Sequence, residues 1–398
     1  MYQNKKLRNT MFGLLYFTQG TVLSYFTALN ALYLLDNGLS MTDIGLFAAI
    51  ALIPFVIKVF FGMLSDRVSL FNKGHRKPYI LLGLSVQTIC LIIVPFIDPA
   101  AHYWGFVALA FILQSGMALY DTCTDGLALD TTPKTEQGTI QGIMVGGRAL
   151  AVVVTASAVG LLAQNVSWFA VFWLLAGLTL LPVPLVLGVR EEARPVEREF
   201  DWGAFKAFNQ RSIIALAVVG FLFFLIIAGA NQIVNPFLES DFSIDLSMAG
   251  FYTTVWGIGV VLGGVTGGTL ISRIGKHNST RIALGISLVA ILSLTFITSP
   301  SIAFPLVWLF GLAYGTYQTV YFALAMNYTD PRIAASMFSI LMAITNIGQG
   351  VGMALSGMLV DVIDFRLTFV VLAALNLVAL PFLPVIFKSV RKLAAKPN

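Results

Sequence analysis

The chain has 398 residues, of which 58% are hydrophobic and 11% charged, less than half the charged share of an average soluble domain. A soluble core of this size could not hide so much apolar side chain, which excludes a soluble enzyme or nucleic-acid-binding domain. The net charge of +5 is therefore read by position rather than as a nucleic-acid footprint.

The apolar residues come in runs of roughly 20, long enough to cross ~30 Å of hydrocarbon as helices. Nothing alternates with the two-residue period of a transmembrane barrel. Twelve spans are predicted, at 10–35, 42–65, 78–97, 103–129, 138–163, 167–189, 212–238, 246–271, 279–298, 302–328, 335–361 and 367–388. Lys5, Lys6 and Arg8 precede the first run without a small-residue cleavage site, so it reads as an uncleaved span. Cys90 and Cys123 fall inside apolar runs, which argues against a structural disulfide.

All but three of the 24 Lys and Arg residues lie at the termini or in loops after even spans, the exceptions being Lys58, Arg148 and Arg366. The positive-inside rule then puts both termini in the cytoplasm of a bacterial-type inner membrane. The opposite loops carry Asp36, Asp43, Asp98, Glu239, Asp241, Asp245, Asp361 and Asp364. Residues 190–211 are charged and contain Phe200, Trp202, Phe205 and Phe208, a pattern that predicts a short interfacial amphipathic helix. This segment divides a six-helix bundle at 1–190 from a second at 212–398, with 191–211 as a cytoplasmic linker.

The halves repeat. Gly62-Met63-Leu64-Ser65-Asp66-Arg67 ends span 2, and Gly268-Thr269-Leu270-Ile271-Ser272-Arg273 ends span 8. Span 4 runs out at Asp130-Thr131-Thr132-Pro133 and span 10 at Tyr328-Thr329-Asp330-Pro331. Six spans repeated in parallel resemble the plan of the major facilitator superfamily over the full chain. Gly62, Leu64, Asp66 and Arg67 match that family's loop motif, with its basic pair displaced to Arg76 and Lys77. The resemblance implies a gate latch at Asp66 and Arg67, and Asp130 joins them as a gating candidate. The second copy has Ser272 in place of the carboxylate, so a latch there would be weaker.

Charges inside spans are costly and mark function by default. Four stand out: Lys58 in span 2, Asp121 and Asp125 in span 4, and Arg148 in span 5. At about 1.5 Å per helical residue Lys58, Asp121 and Arg148 sit ~12–15 Å from the inner surface, with Asp125 one turn lower. Asp121 and Asp125 share a helix face because residues i and i+4 align. A buried carboxylate beside a cation can take and release a proton as its partners move, so Asp121 and Asp125 are the proton-coupling candidates. Paired carboxylates could instead ligate sodium, and four charges could simply lock the first half together. Lys58 and Arg148 are the candidates for gripping a solute's negative groups.

The second half offers neutral polar residues: Asn231, Gln232 and Asn235 in span 7, Tyr252 in span 8, Tyr314, Tyr317, Gln318 and Tyr321 in span 10, and Asn346 and Gln349 in span 11; span 1 adds Gln19, Tyr25 and Asn30. The family's cavity is lined by spans 1, 4, 7 and 10, which implies substrate contacts from Gln19, Tyr25, Asn231, Gln232, Asn235, Tyr317, Gln318, Tyr321 and, on span 11, Asn346. Amides can also merely bridge helices.

A narrower resemblance rests on the stretch 53–62 with its mid-span Lys58, on Gly74-His75-Arg76-Lys77-Pro78, on the acidic pair and on Gly147-Arg148. These are similar to the peptide–acetyl-coenzyme A transporter family, which includes muropeptide permeases of the AmpG type. That implies proton-coupled symport of a polar or anionic solute, such as a muropeptide or an acyl-coenzyme A, by a monomer. The competing readings are a facilitator-fold assembly or scaffold protein and a lipid flippase. His75, His102 and His277 lie near span ends or in loops, and no nucleophile, metal-ligand or phosphate-loop pattern occurs. No enzymatic activity, metal or cofactor is therefore expected.

Overall fold

The computed structural model describes residues 5–70, 74–132, 136–189, 209–328 and 334–387. They form an all-α membrane protein with twelve transmembrane helices in two pseudo-symmetric six-helix bundles. By length and apolarity alone, nine stretches among the described residues qualify as spans. The other three are explained by residues. Leu246–Leu294 is two spans divided at Gly275, whose φ of 75° and ψ of 163° leave the helical region. Spans 1 and 10 are interrupted by Gln19, Tyr25, Tyr314, Tyr317 and Gln318. The predicted interfacial helix of the linker, with Phe200, Trp202, Phe205 and Phe208, lies outside the described residues.

Two spans are broken where the sequence reading had them continuous. Span 1 consists of Lys5–Ala28 and Asn30–Asp36. Span 2 consists of Met41–Val56 and Lys58–Arg67, with Pro54 inside the first piece. Pro54 donates no N–H and its ring crowds the carbonyl one turn back, which weakens the helix piece that ends at Val56. The break at Ile57 makes Lys58 the first residue of the lower segment.

Three of the acidic residues in the loops opposite the basic ones, Asp43, Asp245 and Asp364, are helix caps. Ser40 and Asp43 form a reciprocal capping box at the start of span 2, with Asp43 N donating to Ser40 Oγ at 3.1 Å and Ser40 N to Asp43 Oδ2 at 3.2 Å. Asp245 accepts from Met248 N at 2.7 Å and Asp364 from Leu367 N at 2.9 Å. Even-numbered spans begin on the side opposite the basic loops, and a carboxylate there satisfies free amides and complements the helix dipole. Arg366, the single base on that side, is also accounted for. It donates to Thr295 O at 2.6 Å, to Ile297 O at 3.1 Å and to Asp241 Oδ2 at 2.9 Å, and it stacks over Phe237.

The chain forms two compact units. One contains Met1–Leu39, Ile50–Glu199 and Asp245–Thr254; the other contains Ser40–Ala49, Phe200–Ile244 and Val255–Asn398. The start of span 8 thus packs within the first unit, where Thr254 Oγ1 donates to Val153 O at 2.9 Å. The start of span 2 packs within the second, where Thr42 N donates to Asp361 Oδ2 at 2.7 Å.

Small residues draw equivalent helices together in each unit. A Cβ on Gly20 would stand 2.4 Å from Arg148 O and one on Gly147 2.5 Å from Gly13 O, so spans 1 and 5 touch backbone to backbone. In the second unit Gly348 and Gly352 do the same against Phe221 O and Leu225 O, joining spans 7 and 11. Such small-residue contacts are how helices associate without a hydrophobic driving force.

Candidate functional site

The backbone contact of spans 1 and 5 sets the site, because it brings Arg148 alongside Tyr16 and Gln19, which lie on one face of span 1 at i and i+3. The Gln19 amide then works in both directions. Its Nε2 donates to Asp121 Oδ1 at 2.9 Å, and its Oε1 accepts from Arg148 Nη1 at 3.4 Å. The other oxygen of Asp121 accepts from Lys58 Nζ at 3.3 Å. A chain of Lys58, Asp121, Gln19 and Arg148 therefore joins spans 2, 4, 1 and 5 inside one unit.

Burial differs along this chain. Asp121 retains 6% of its side-chain exposure and Lys58 36%. The Lys58 ammonium meets Asp121, while the side chain that carries it is the less covered of the two.

The four charges do not form a closed lock. Among the described residues Lys58–Asp121 is the one ion pair in the group. Asp125 accepts a short hydrogen bond from the Tyr16 hydroxyl. The Arg148 guanidinium lies 5.9 Å from the Tyr16 ring centroid and donates one long bond, to Gln19. Arginine carries five N–H donors in a planar fork, so most of this one is uncommitted. An amide standing between Arg148 and Asp121 keeps the cation from being consumed by a carboxylate of its own protein.

Tyr16 was missed by the sequence reading, which named Gln19, Tyr25 and Asn30 on span 1. Its spacing of three from Gln19 was the available signal. Tyr25 is placed elsewhere: it is buried, with Phe26 and Phe172 against it edge-on. In the second unit Tyr317 stacks on Phe223 and donates to Asn376 Oδ1 at 3.2 Å, while Tyr321 sits in the same apolar core against Gly220. All three rings are buried, and the hydroxyls of Tyr25 and Tyr321 have no hydrogen-bond partner among the described residues. Asn231 and Gln318 are half-buried, and Asn235 is buried. Gln232 is also buried, and its Nε2 has no hydrogen-bond partner among the described residues. Asn346 Oδ1 accepts from Gln349 Nε2 at 3.2 Å.

At the end of the bundle that carries the basic loops, Asp130 faces Arg76 at 3.5 Å. Arg76 also donates a short bond to Ser65 Oγ and lies flat on Gly126, where any Cβ would meet its guanidinium at 2.6 Å. Lys77 Nζ caps the end of span 6 through Leu187 O at 2.6 Å and Val189 O at 3.1 Å. Asp66 and Arg67 close the span 2 helix, and their side chains lie outside the described residues. Glu136, just before span 5, pairs with Lys5 and Arg8. Hydrogen bonds from Lys5 and Arg8 hold its carboxyl below the ordinary value. Among the described residues no group of three or more His, Cys, Asp or Glu is arranged to hold a metal ion.

Long apolar helices that retain such a polar chain define an integral membrane transporter. A sequence profile of the Major Facilitator Superfamily matches residues 12–340 and 216–398. The chain belongs to that superfamily, whose members move small-molecule solutes as secondary transporters. It is 24% identical over 350 residues to the anhydromuropeptide permease of Escherichia coli K12, covering 83% of this chain and 68% of the relative. It is 25% identical over 358 residues to the folate-biopterin transporter of a Synechocystis strain, covering 84% and 70%. Among solved structures, a mutant of the nucleoside transporter NupG superposes with a TM-score of 0.79 at 16% identity, covering 95% of this chain and 99% of that one. A bacterial homolog of the lysosomal transporter Spinster gives 0.77 at 16%, covering 99% and 100%. At that identity the two structures speak for the fold alone.

Proposed function

We propose that this protein is a proton-coupled symporter of an anionic organic solute, working by alternating access in a bacterial inner membrane with both termini cytoplasmic. One observation carries the reading: a mid-membrane guanidinium whose fork is held off its own carboxylates. Leaving a charge so poorly matched is costly unless a partner arrives, and a planar fork suits a carboxylate or phosphate bidentately. Gln19 positions Arg148, and the Lys58–Asp121 pair supplies a second charged group. Half-buried Asn231 and Gln318, buried Gln232 and Asn235, and Asn346 in the second unit are the neutral hydrogen-bonding set. Arg76 and Asp130, with Asp66 and Arg67, form the cytoplasmic latch. The linker at 191–211 joins bundles at 1–190 and 212–398.

Two of the relatives are named for anhydromuropeptides and for folate and biopterin, and muropeptides and folates carry carboxylates. These are the first solutes to test, with acyl-coenzyme A after them. The experiment is uptake of a labelled anhydromuropeptide and of folate into proteoliposomes, with and without an inward proton gradient. The expected result is gradient-driven uptake whose KM rises at least tenfold in Arg148→Gln and is not restored in Arg148→Lys, because an ammonium lacks the fork. Uptake indifferent to the gradient and to Arg148→Gln would overturn the proposal and favour a scaffold or lipid-moving role.

A further inference from the structure

We infer that the two carboxylates of span 4 have separate duties: Asp125 takes the transported proton, the Tyr16 hydroxyl positions it, and Asp121 stays an ion-pair partner throughout. The inference rests on the proton-coupled reading above and narrows it to atoms. Asp121 has both oxygens engaged, one by Lys58 and one by Gln19. Asp125 receives a single donor, Tyr16, on Oδ1, which leaves Oδ2 as the oxygen that can accept a proton. The groups acting on Asp125 are Tyr16 from span 1, Lys58 from span 2, Asp121 on its own helix and Arg148 from span 5. Two carboxylates one turn apart repel. Since Lys58 is spent on Asp121, a proton on Asp125 relieves the repulsion without breaking an existing pair.

Tyr16 does not itself carry the proton. Its O–H donates to Oδ1 when Asp125 is a carboxylate, and the same O–H can donate to the carbonyl oxygen once Oδ2 is protonated. The step is therefore a proton arriving from water at Oδ2 and later leaving to water, with the phenol unchanged. Tyr16 also lies under Arg148, which links proton and cargo. An anion seated on Arg148 cancels the positive charge that favoured an ionised Asp125, so cargo and proton promote each other's binding. Linkage makes that reciprocal, and the sign is that of symport.

The test does not need the solute. Purified full-length protein in lipid nanodiscs is titrated while infrared difference spectra follow the carbonyl stretch of a protonated carboxylic acid. The wild type should show one titrating membrane carboxyl. Asp125→Asn should delete the band, and Asp125→Glu, which keeps the acid, should change its frequency should the amide variant fail to fold. Asp121→Asn should keep the band. Tyr16→Phe, which preserves the ring beneath Arg148, should keep the band but displace its midpoint by about half a pH unit or more, as expected for loss of a donor to a carboxylate. Loss of the band in Asp121→Asn with retention in Asp125→Asn would overturn the assignment while leaving proton coupling intact. An unmoved midpoint in Tyr16→Phe would reduce Tyr16 to packing. Absence of any titrating carboxyl in the wild type would bring down the proton-coupled reading itself.

Discussion

The Lys58–Asp121 pair can be weighed by a double-mutant cycle of Lys58→Met, Asp121→Asn and the two combined. At 3.3 Å, two unit charges attract by about 5 kcal/mol at an effective dielectric near 20 and about 1.3 kcal/mol in bulk water. Asp121 is almost covered, while Lys58 keeps 36% of its side-chain exposure, so the pair belongs between these limits. A coupling of about 2–3 kcal/mol is expected. Each single substitution strands a charge and should destabilise by more than its share. The double variant, which strands none, should be more stable than the sum of the two predicts. The assay is unfolding of purified protein in a mild detergent titrated with SDS, followed by intrinsic fluorescence. Additivity to within about 0.5 kcal/mol would refute the reasoning and show that the pair contributes no stability of its own.

Adding side chains between spans 1 and 5 should disturb the site from behind. Gly20→Val places atoms inside the space held by Arg148 O and Ala151 and should cost about 1–3 kcal/mol, with solute affinity falling in parallel in the protein that folds. The Glu136 cluster predicts an acid limb to stability. Its carboxyl lies below the ordinary 4.5 in the folded chain, so its contribution is complete above that value and is lost as pH falls through the lower folded value. Thermal midpoints measured from neutral to acid pH should fall less steeply in Glu136→Gln than in the wild type. Arg366→Ala should loosen its end of the second unit by about 2 kcal/mol, seen as faster hydrogen exchange at residues 295–297 and 237–242, with the KM of the surviving protein unchanged.

Much of the fold could be read in advance because lipid imposes a one-dimensional rule. Each crossing needs its own apolar run, and the loops between runs sort Lys and Arg to one side. Hence the twelve spans and the repeat stood in the residue order. The break at Ile57 was not legible there: only in the built helix does Lys58 start a new segment. Asp43, Asp245 and Asp364 looked like topology and proved to be caps, because capping depends on where a helix begins, and that is decided to within a residue.

The candidate site divides along the same line. Lys58, Asp121, Asp125 and Arg148 were conspicuous by sequence, since a charge in hydrocarbon is expensive wherever its partners lie. Which charge pairs with which was not legible. Partner choice depends on the rotation and depth of four helices from distant parts of the chain, and those are fixed by glycine contacts such as Gly20 on Arg148 O. Tyr16 is polar in a way that many core tyrosines are, so it stood out only once it was seen beneath Arg148 with its hydroxyl on Asp125. Tyr317 and Tyr321 were candidates by helix number, and their packing against Phe223 and Gly220 was visible only in the structure. By itself the sequence determined the solvent, the spans and the costly charges. Only the tertiary structure decided that Asp121 is neutralised by Lys58, that Asp125 has one donor and that Arg148 keeps its fork free, because those are properties of distances between helices, which residue order does not contain.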